Sequence, residues 1–500
     1  MSYAEYQTLT QKAADFNNAA AVLSWDQETY MPPKGFALRG RQLATLALAA
    51  HEILTSACYA QLLHDLGQDD TLSDTERINV VRSAEDYEKA AKLPPQFVEA
   101  LSLQSTVCYE AWMKARAASD FSLFEGPLQK MIDLKREQAA LYGFAGHPYD
   151  GLLDDYEKGV TVALLDPIFR NLKAALQPIL EKISAAPQVS DVVFKGYFEK
   201  DKQFRFSETV LRQMGYDFEA GRQDYAAHPF SISFGPDDAR ITTRADEENL
   251  AYMLWSSIHE GGHALYEQGL PLAQYGLPLG EACSLAIHES QSRLWENNVG
   301  RSHAFADVFF PKLQAVFPEM LSRFSANDFF RAANRVCPSL IRTEADELTY
   351  HFHVAIRYEL EKSLFSGNLE ARDLPAAWNK AYQQYLGITP SSDALGVLQD
   401  VHWSHGSFGY FPTYTLGSLY AAQFFEQAQK DLPDLEAQFE KGDFSHLLRW
   451  LREHIHQYGR RYTSEELCQR ATGSGLSSEP FIRYIQNKMT RVYPEAFPQS

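Results

Sequence analysis

Residues 246–269, DEENLAYMLWSSIHEGGHALYEQG, decide how the rest of the chain is read. Acidic residues crowd its start, where the positive end of a helix dipole favours them, apolar residues recur at helical spacing, and Gly269 offers a stop. The segment reads as one helix. Within it, His259-Glu260-Gly261-Gly262-His263 sets two imidazoles at i and i+4, which project from the same helix face and can reach one metal ion, with Glu260 beside it. With 15 histidines in 500 residues, chance would supply this pattern on the order of a few hundredths of a time. Gly261 and Gly262 each cost about 1 kcal/mol relative to Ala inside a helix, so close approach by a ligand or another backbone is what keeps them there.

The same chain supplies controls. His51-Glu52-Ile53-Leu54-Thr55 starts like the motif but lacks the second histidine, and His351/His353 and His454/His456 are spaced i+2, which splays them apart on a helix. These read as structural or surface histidines. A catalytic zinc usually takes three protein ligands and leaves a fourth position to water. Glu289, in His288-Glu289-Ser290-Gln291 on a second helical run starting near Glu281, is the best third donor. Glu281 and His288 are its rivals, and spacing alone does not exclude an imidazole at 288.

Working outward, residues 1–225 read as amphipathic helix after amphipathic helix, broken at MPPKG and AGHPYDG. One strand signal follows: Phe230, Ile232 and Phe234 alternate with Ser231 and Ser233, and GPDD turns the chain into Arg240-Ile241-Thr242-Thr243, a hairpin. The remainder is again helical, apart from the Gly- and aromatic-rich HWSHGSFGYFPTYTLG. No linker divides the chain, so it reads as one unit over 1–500, with a helical lobe over 1–225 and a lobe over 226–500 carrying the hairpin, the metal site and the C-terminal helices.

Apolar residues make up 45% and charged residues 22%, an ordinary globular balance. The formal charge of −19 repels a phosphate backbone and argues against nucleic acid as a partner. Five scattered cysteines without CxxC spacing suit a reducing compartment. No basic, apolar leader opens the chain and no run approaches ~20 uninterrupted apolar residues, so the expectation is a soluble cytoplasmic protein with no membrane partner.

Six motifs occur in order along nearly the whole chain: His228-Pro229-Phe230, Asp238-Ala239-Arg240-Ile241-Thr242, the 259–263 motif, His288-Glu289-Ser290-Gln291, Ile341-Arg342-Thr343-Glu344-Ala345-Asp346, and Gly396-Val397-Leu398-Gln399-Asp400-Val401-His402-Trp403. Together they resemble the thermostable carboxypeptidase (carboxypeptidase Taq) family of zinc metallocarboxypeptidases. The resemblance implies Glu289 as third ligand, a mainly α fold that is large, helical and two-lobed with a deep groove, and a homodimer. It also implies release of single residues from peptide C-termini. A small hairpin or sheet is expected beside the motif helix.

In that chemistry zinc, or cobalt in its place, activates water, and Glu260 takes the water proton and passes it to the leaving amine. An enzyme acting at a chain end must recognise a free C-terminal carboxylate, which suits a planar guanidinium. Arg342, within its family motif, is the candidate, against an intrahelical ion pair with Glu344, Asp346 or Glu347 as the plainer reading, of which only Asp346 has the favourable i+4 spacing; Arg240 is the runner-up. His402, Tyr410 and Tyr414 are candidate donors to an oxyanion. Gln399 and Asp400 are candidate partners that orient a ligand imidazole. The hairpin strand offers backbone groups to an extended peptide. Two other readings fit parts of the pattern. A related helical zinc endopeptidase or oligopeptidase would share the metal site. A non-catalytic protein with structural zinc would be expected to close the site with four ligands, often cysteines, and none lies in the motif.

Overall fold

The computed structural model describes residues 2–498. Helices dominate, and the one sheet among the described residues is three short strands. The chain gathers into two compact units, each drawn from three stretches rather than divided at residue 225. The first comprises Met1–Ala91, Asp191–Ala333 and Tyr420–Leu476; the second comprises Lys92–Ser190, Asn334–Leu419 and Ser477–Ser500.

In the first unit the helix Leu250–Glu267 carries the motif. It starts where it does because Asn249, in extended backbone, accepts a hydrogen bond on its side chain from the Ala251 N–H. Leu250, Met253, Leu254, Ile258 and Leu265 bury its apolar face. Both glycines are packing positions. A Cβ at Gly261 would stand 2.3 Å from Leu211 Cδ2, on the helix Lys200–Met214, and one at Gly262 would stand 2.7 Å from Ser292 Cα and 2.8 Å from the Gln291 carbonyl oxygen. At Gly262 the neighbour is therefore another backbone, that of the helix Leu285–Arg293. The latter opens with the Ser284 hydroxyl accepting from the Ile287 N–H, later than the expected start near Glu281, and runs directly into a π-helical stretch, Leu294–Gly300. The motif helix ends two residues before Gly269, whose missing side chain makes room for His456: a Cβ there would lie 2.3 Å from its Nδ1.

The strands are β1 (Gln223–Tyr225), β2 (Ser231–Ser233) and β3 (Ala239–Thr243), in the order β1-β3-β2. β2 and β3 form the expected antiparallel hairpin, with Ile232 opposite Arg240, and Gly235 at φ +137° turns the chain. β1 adds a parallel strand on the other side of β3 that the sequence pattern did not announce. Central β3 buries Ile241 and meets the motif helix through Thr243, whose hydroxyl lies 3.0 Å from Ser256 Oγ and accepts from Ser257 Oγ at 3.2 Å.

In the second unit the helix Tyr350–Phe365 is buried nearly all round. Its Glu361 carboxylate accepts from the Trp403 indole at 2.7 Å, from the Gly409 N–H at 2.9 Å and from the Tyr149 hydroxyl, pinning the stretch that follows His402. Gly409 has φ +96°, and a Cβ there would lie 2.6 Å from the Leu152 carbonyl oxygen, so only glycine fits. His351 and His353 are buried and bonded to Thr415 and Tyr382, as structural histidines should be. The five cysteines form no disulfide. No single described helix is long and apolar enough to cross a membrane; the pair Pro33–Leu54 and Ala57–Gly67 meets that criterion only together, with a 42° bend.

Candidate metal centre

His259 and His263, one turn apart on the motif helix, set their rings 5.0 Å apart and nearly perpendicular. Across the glycine contact, the second helix places Glu289 Oε2 3.7 Å from His259 Nε2 and 3.4 Å from His263 Nε2. The three ligand atoms all lie within 4.8 Å of one another. Two imidazoles and one carboxylate, with no fourth side chain joining the group among the described residues, is the donor set of an open catalytic metal site rather than a closed structural one. The residues present fit a metal.

Each candidate ligand is oriented from behind. His259 Nδ1 lies 2.9 Å from Glu296 Oε2, and Glu296 is itself held by Arg301 at 2.9 Å and Arg293 at 3.4 Å. Arg293 Nε also donates to Glu289 Oε1 at 2.7 Å, leaving Oε2 facing the histidines. Burial works against ionisation of Glu289, but Arg293, His259 and His263 outweigh it and hold the carboxyl well below the usual range. Burial, helped by the neighbouring histidines and opposed by Glu289, pushes His263 down to about 4, so near neutral pH it is the uncharged imidazole a metal requires. Burial also drives Glu260 up to about 7, against the pull of His259, which poises this carboxyl to exchange a proton near neutrality.

His288, the rival ligand, faces the back of His263: the two Nδ1 atoms are 2.6 Å apart, and His288 Nε2 lies 2.8 Å from Glu267 Oε1. Glu281 precedes the helix and pairs with Arg460 at 2.8 Å, its side chain 57% exposed. Neither joins the ligand group. Glu296, Arg293, Arg301 and Glu267 were not read from the sequence. A signal existed for two of them, since Glu267 follows His263 by four residues and Glu296 follows Glu289 by seven, both spacings that return to the same helix face.

Arg342, Arg357, Gln399, Asp400, His402, Tyr410 and Tyr414 cluster in the second unit. Arg342 is buried in a 3₁₀ turn, and Asp400 Oδ1 accepts from its Nε at 3.1 Å and its second terminal nitrogen at 2.8 Å; the first terminal nitrogen donates to the Tyr350 hydroxyl at 3.0 Å. Arg357 donates to Asp400 Oδ2 at 2.6 Å. Two guanidiniums on one carboxylate leave a net positive charge. The ion pair with Asp346 does not form, because that carboxylate caps the Leu348 and Thr349 N–H groups. Gln399 and Asp400, read as supports for a ligand imidazole, instead hold the two arginines. His402 Nε2 lies 3.3 Å from the Tyr414 hydroxyl, and its ring is 5.3 Å from that of Tyr410. Burial lowers the His402 pKa to about 3 despite Asp400, so it is uncharged. Arg240, in the first unit, is paired with Asp238 at 2.7 and 2.8 Å and lies against the Trp25 and Phe234 rings.

Fold and ligand set define a helical metallopeptidase. The family model described as carboxypeptidase Taq (M32) metallopeptidase matches residues 5–489. Thermostable carboxypeptidase 1 of Thermus thermophilus is 42% identical over 98% of this chain and 99% of its own length. Carboxypeptidase 1 of Bacillus subtilis is 39% identical over 98% of both. The crystal structure of the M32 carboxypeptidase from Deinococcus radiodurans superposes with a TM-score of 0.97 at 41% identity, covering 98% of this chain and 99% of that one. The chain belongs to the carboxypeptidase Taq family and is a metallocarboxypeptidase, a hydrolase of peptide bonds.

Proposed function

We propose that the metal is zinc, one ion per chain, and that the enzyme releases single residues from peptides bearing a free C-terminal carboxylate. The observation that carries this reading is the convergence of His259 Nε2, His263 Nε2 and Glu289 Oε2 within 4.8 Å, one residue from a buried Glu260. When bound, the metal supplies Lewis acidity to water and to the scissile carbonyl. Glu260 accepts the proton from water on a carboxylate oxygen and delivers it to the leaving nitrogen. Arg342 recognises the terminal carboxylate. With Asp400 and Tyr350 taking three of its five N–H donors, it acts through the two that are left, one on each terminal nitrogen, and the net positive charge shared with Arg357. Arg240 remains the alternative. His402, Tyr410 and Tyr414 supply hydrogen bonds to substrate oxygens; a neutral His402 can donate from one ring nitrogen. We further read the enzyme as a homodimer, on the family resemblance, and as cytoplasmic, on its scattered free cysteines.

The test is mass spectrometry of the products of one peptide of mixed sequence, combined with metal analysis of the purified protein. A ladder of single-residue losses from the C-terminus with zinc near one per chain supports the reading. Internal cleavage overturns it in favour of an endopeptidase with the same metal site.

A further inference from the structure

We propose that His288 and Glu267 are positioning residues that lock His263 in its metal-binding tautomer. The inference rests on the reading of His263 as a ligand. To offer the Nε2 lone pair to a metal, a neutral His263 must carry its proton on Nδ1. The acceptor facing that proton is His288 Nδ1, 2.6 Å away. His288 must then have a lone pair on Nδ1 and its own proton on Nε2, which points at Glu267 Oε1, 2.8 Å away. Glu267, as a carboxylate, can only accept. With both imidazoles uncharged and Glu267 ionised, one proton placement satisfies both contacts, and it is the one that turns the His263 lone pair toward Glu289.

The chain spans both ligand-bearing helices. His263 and Glu267 are one turn apart on the motif helix, and His288 precedes ligand Glu289 on the next. The His263 and His288 rings are 4.6 Å apart and tilted by 40°, and the Tyr266 ring lies 5.3 Å from that of His288. The two metal histidines are thus held differently: His259 has a carboxylate directly behind it, whereas His263 has an imidazole with the carboxylate one step further back. Reversing the direction of the chain would put a proton on His263 Nε2 and close the site to a cation.

The test is the zinc dissociation constant of the full-length metal-depleted protein, measured by competition with a chromophoric chelator. His288→Phe removes the acceptor and should weaken zinc binding roughly 10–100-fold, while His288→Gln, whose side-chain oxygen can accept from Nδ1–H, should recover most of it. Glu267→Leu should weaken binding, and Glu267→Gln, which retains an acceptor oxygen, should weaken it less. Should phenylalanine at 288 prevent folding, the Glu267 pair decides alone. His263→Ala is the control: retention of zinc by that variant removes the ligand reading itself. Loss of zinc in His263→Ala with unchanged dissociation constants in the folded His288 and Glu267 variants overturns the relay alone.

Discussion

Glu296 Oε2 lies 2.9 Å from His259 Nδ1, and it gets there from a π-helical stretch, where seven residues beyond Glu289 would otherwise fall on α-helical register. A carboxylate behind a ligand imidazole fixes the ring and raises its basicity. Glu296→Ala should therefore weaken metal binding about 10–100-fold without removing a ligand. Glu289→Ala should deplete the metal outright, and Glu281→Ala should leave it, since Glu281 pairs with Arg460 instead. Metal content after dialysis and chelator competition separate these three outcomes.

Glu260→Gln keeps the shape of the side chain and removes its ability to take a proton. It should retain metal while kcat falls by about 10²–10⁴-fold. Wild-type turnover in this variant would exclude Glu260 as the base.

The motif glycines should not be equivalent. Gly261 faces a flexible methyl of Leu211, whereas Gly262 faces the backbone at Gln291 and Ser292. Gly261→Ala should be tolerated, its overlap offset in part by the ~1 kcal/mol gain in helix propensity. Gly262→Ala must push the ligand helices apart, with an overpacking cost of about 1–3 kcal/mol or more, and should lower metal affinity as well. Urea denaturation and metal titration of both variants check the order.

Glu361 offers a pH-dependent stability prediction away from the metal. Burial drives its carboxyl up from 4.5 to about 7 in the folded protein, although Tyr149, Gly409 and Trp403 donate to it. A raised folded-state pKa means that the folded form holds the proton more tightly. The stabilisation is complete below about pH 4.5 and is lost as pH rises through about 7. Glu361→Gln cannot titrate and should flatten the dependence of the urea midpoint over that window. An unchanged slope would show that Glu361 titrates normally.

Amidated peptides should be cleaved far more slowly than the same peptides with a free C-terminus, and Arg342→Ala should narrow that ratio by about tenfold or more, as expected when a charge-assisted contact is lost. The variant also leaves Asp400 with one arginine, so protein stability will fall. The ratio between the two substrates, measured on folded enzyme, is therefore the informative quantity. Arg240→Ala narrowing it instead would transfer the role.

The helix and its two histidines were legible because a period of 3.6 and a four-residue spacing are local properties. The choice between His288 and Glu289 was not, because adjacent residues differ in direction by about a quarter turn and nothing in the spacing says which turns toward the motif helix. Glu296 carried a usable signal in its seven-residue spacing from Glu289, although the chain reaches it through a π-helical stretch that the sequence does not announce. β1 is three residues, Gln-Asp-Tyr, too short and too polar to show alternation, and its parallel pairing to β3 is set by tertiary contacts. Arg342 was legible as an unusual arginine, but its partner Asp400 is 58 residues away, beyond any local pairing rule. The assembly of each unit from three separated stretches leaves no mark in composition, because no linker is needed where the chain passes from one to the other.

The contact at Gly262 bears on which ions the centre can accept. Because the motif helix and the helix bearing Glu289 meet main chain to main chain there, the gap between their ligands has a hard stop on one side and cannot shrink by rotating a side chain. A smaller cation would have to be reached by the ligands' own rotamers, whereas a larger one need only ease the two helices apart. The centre should therefore tolerate oversize better than undersize, an asymmetry in metal selectivity imposed by the absence of a single methyl group.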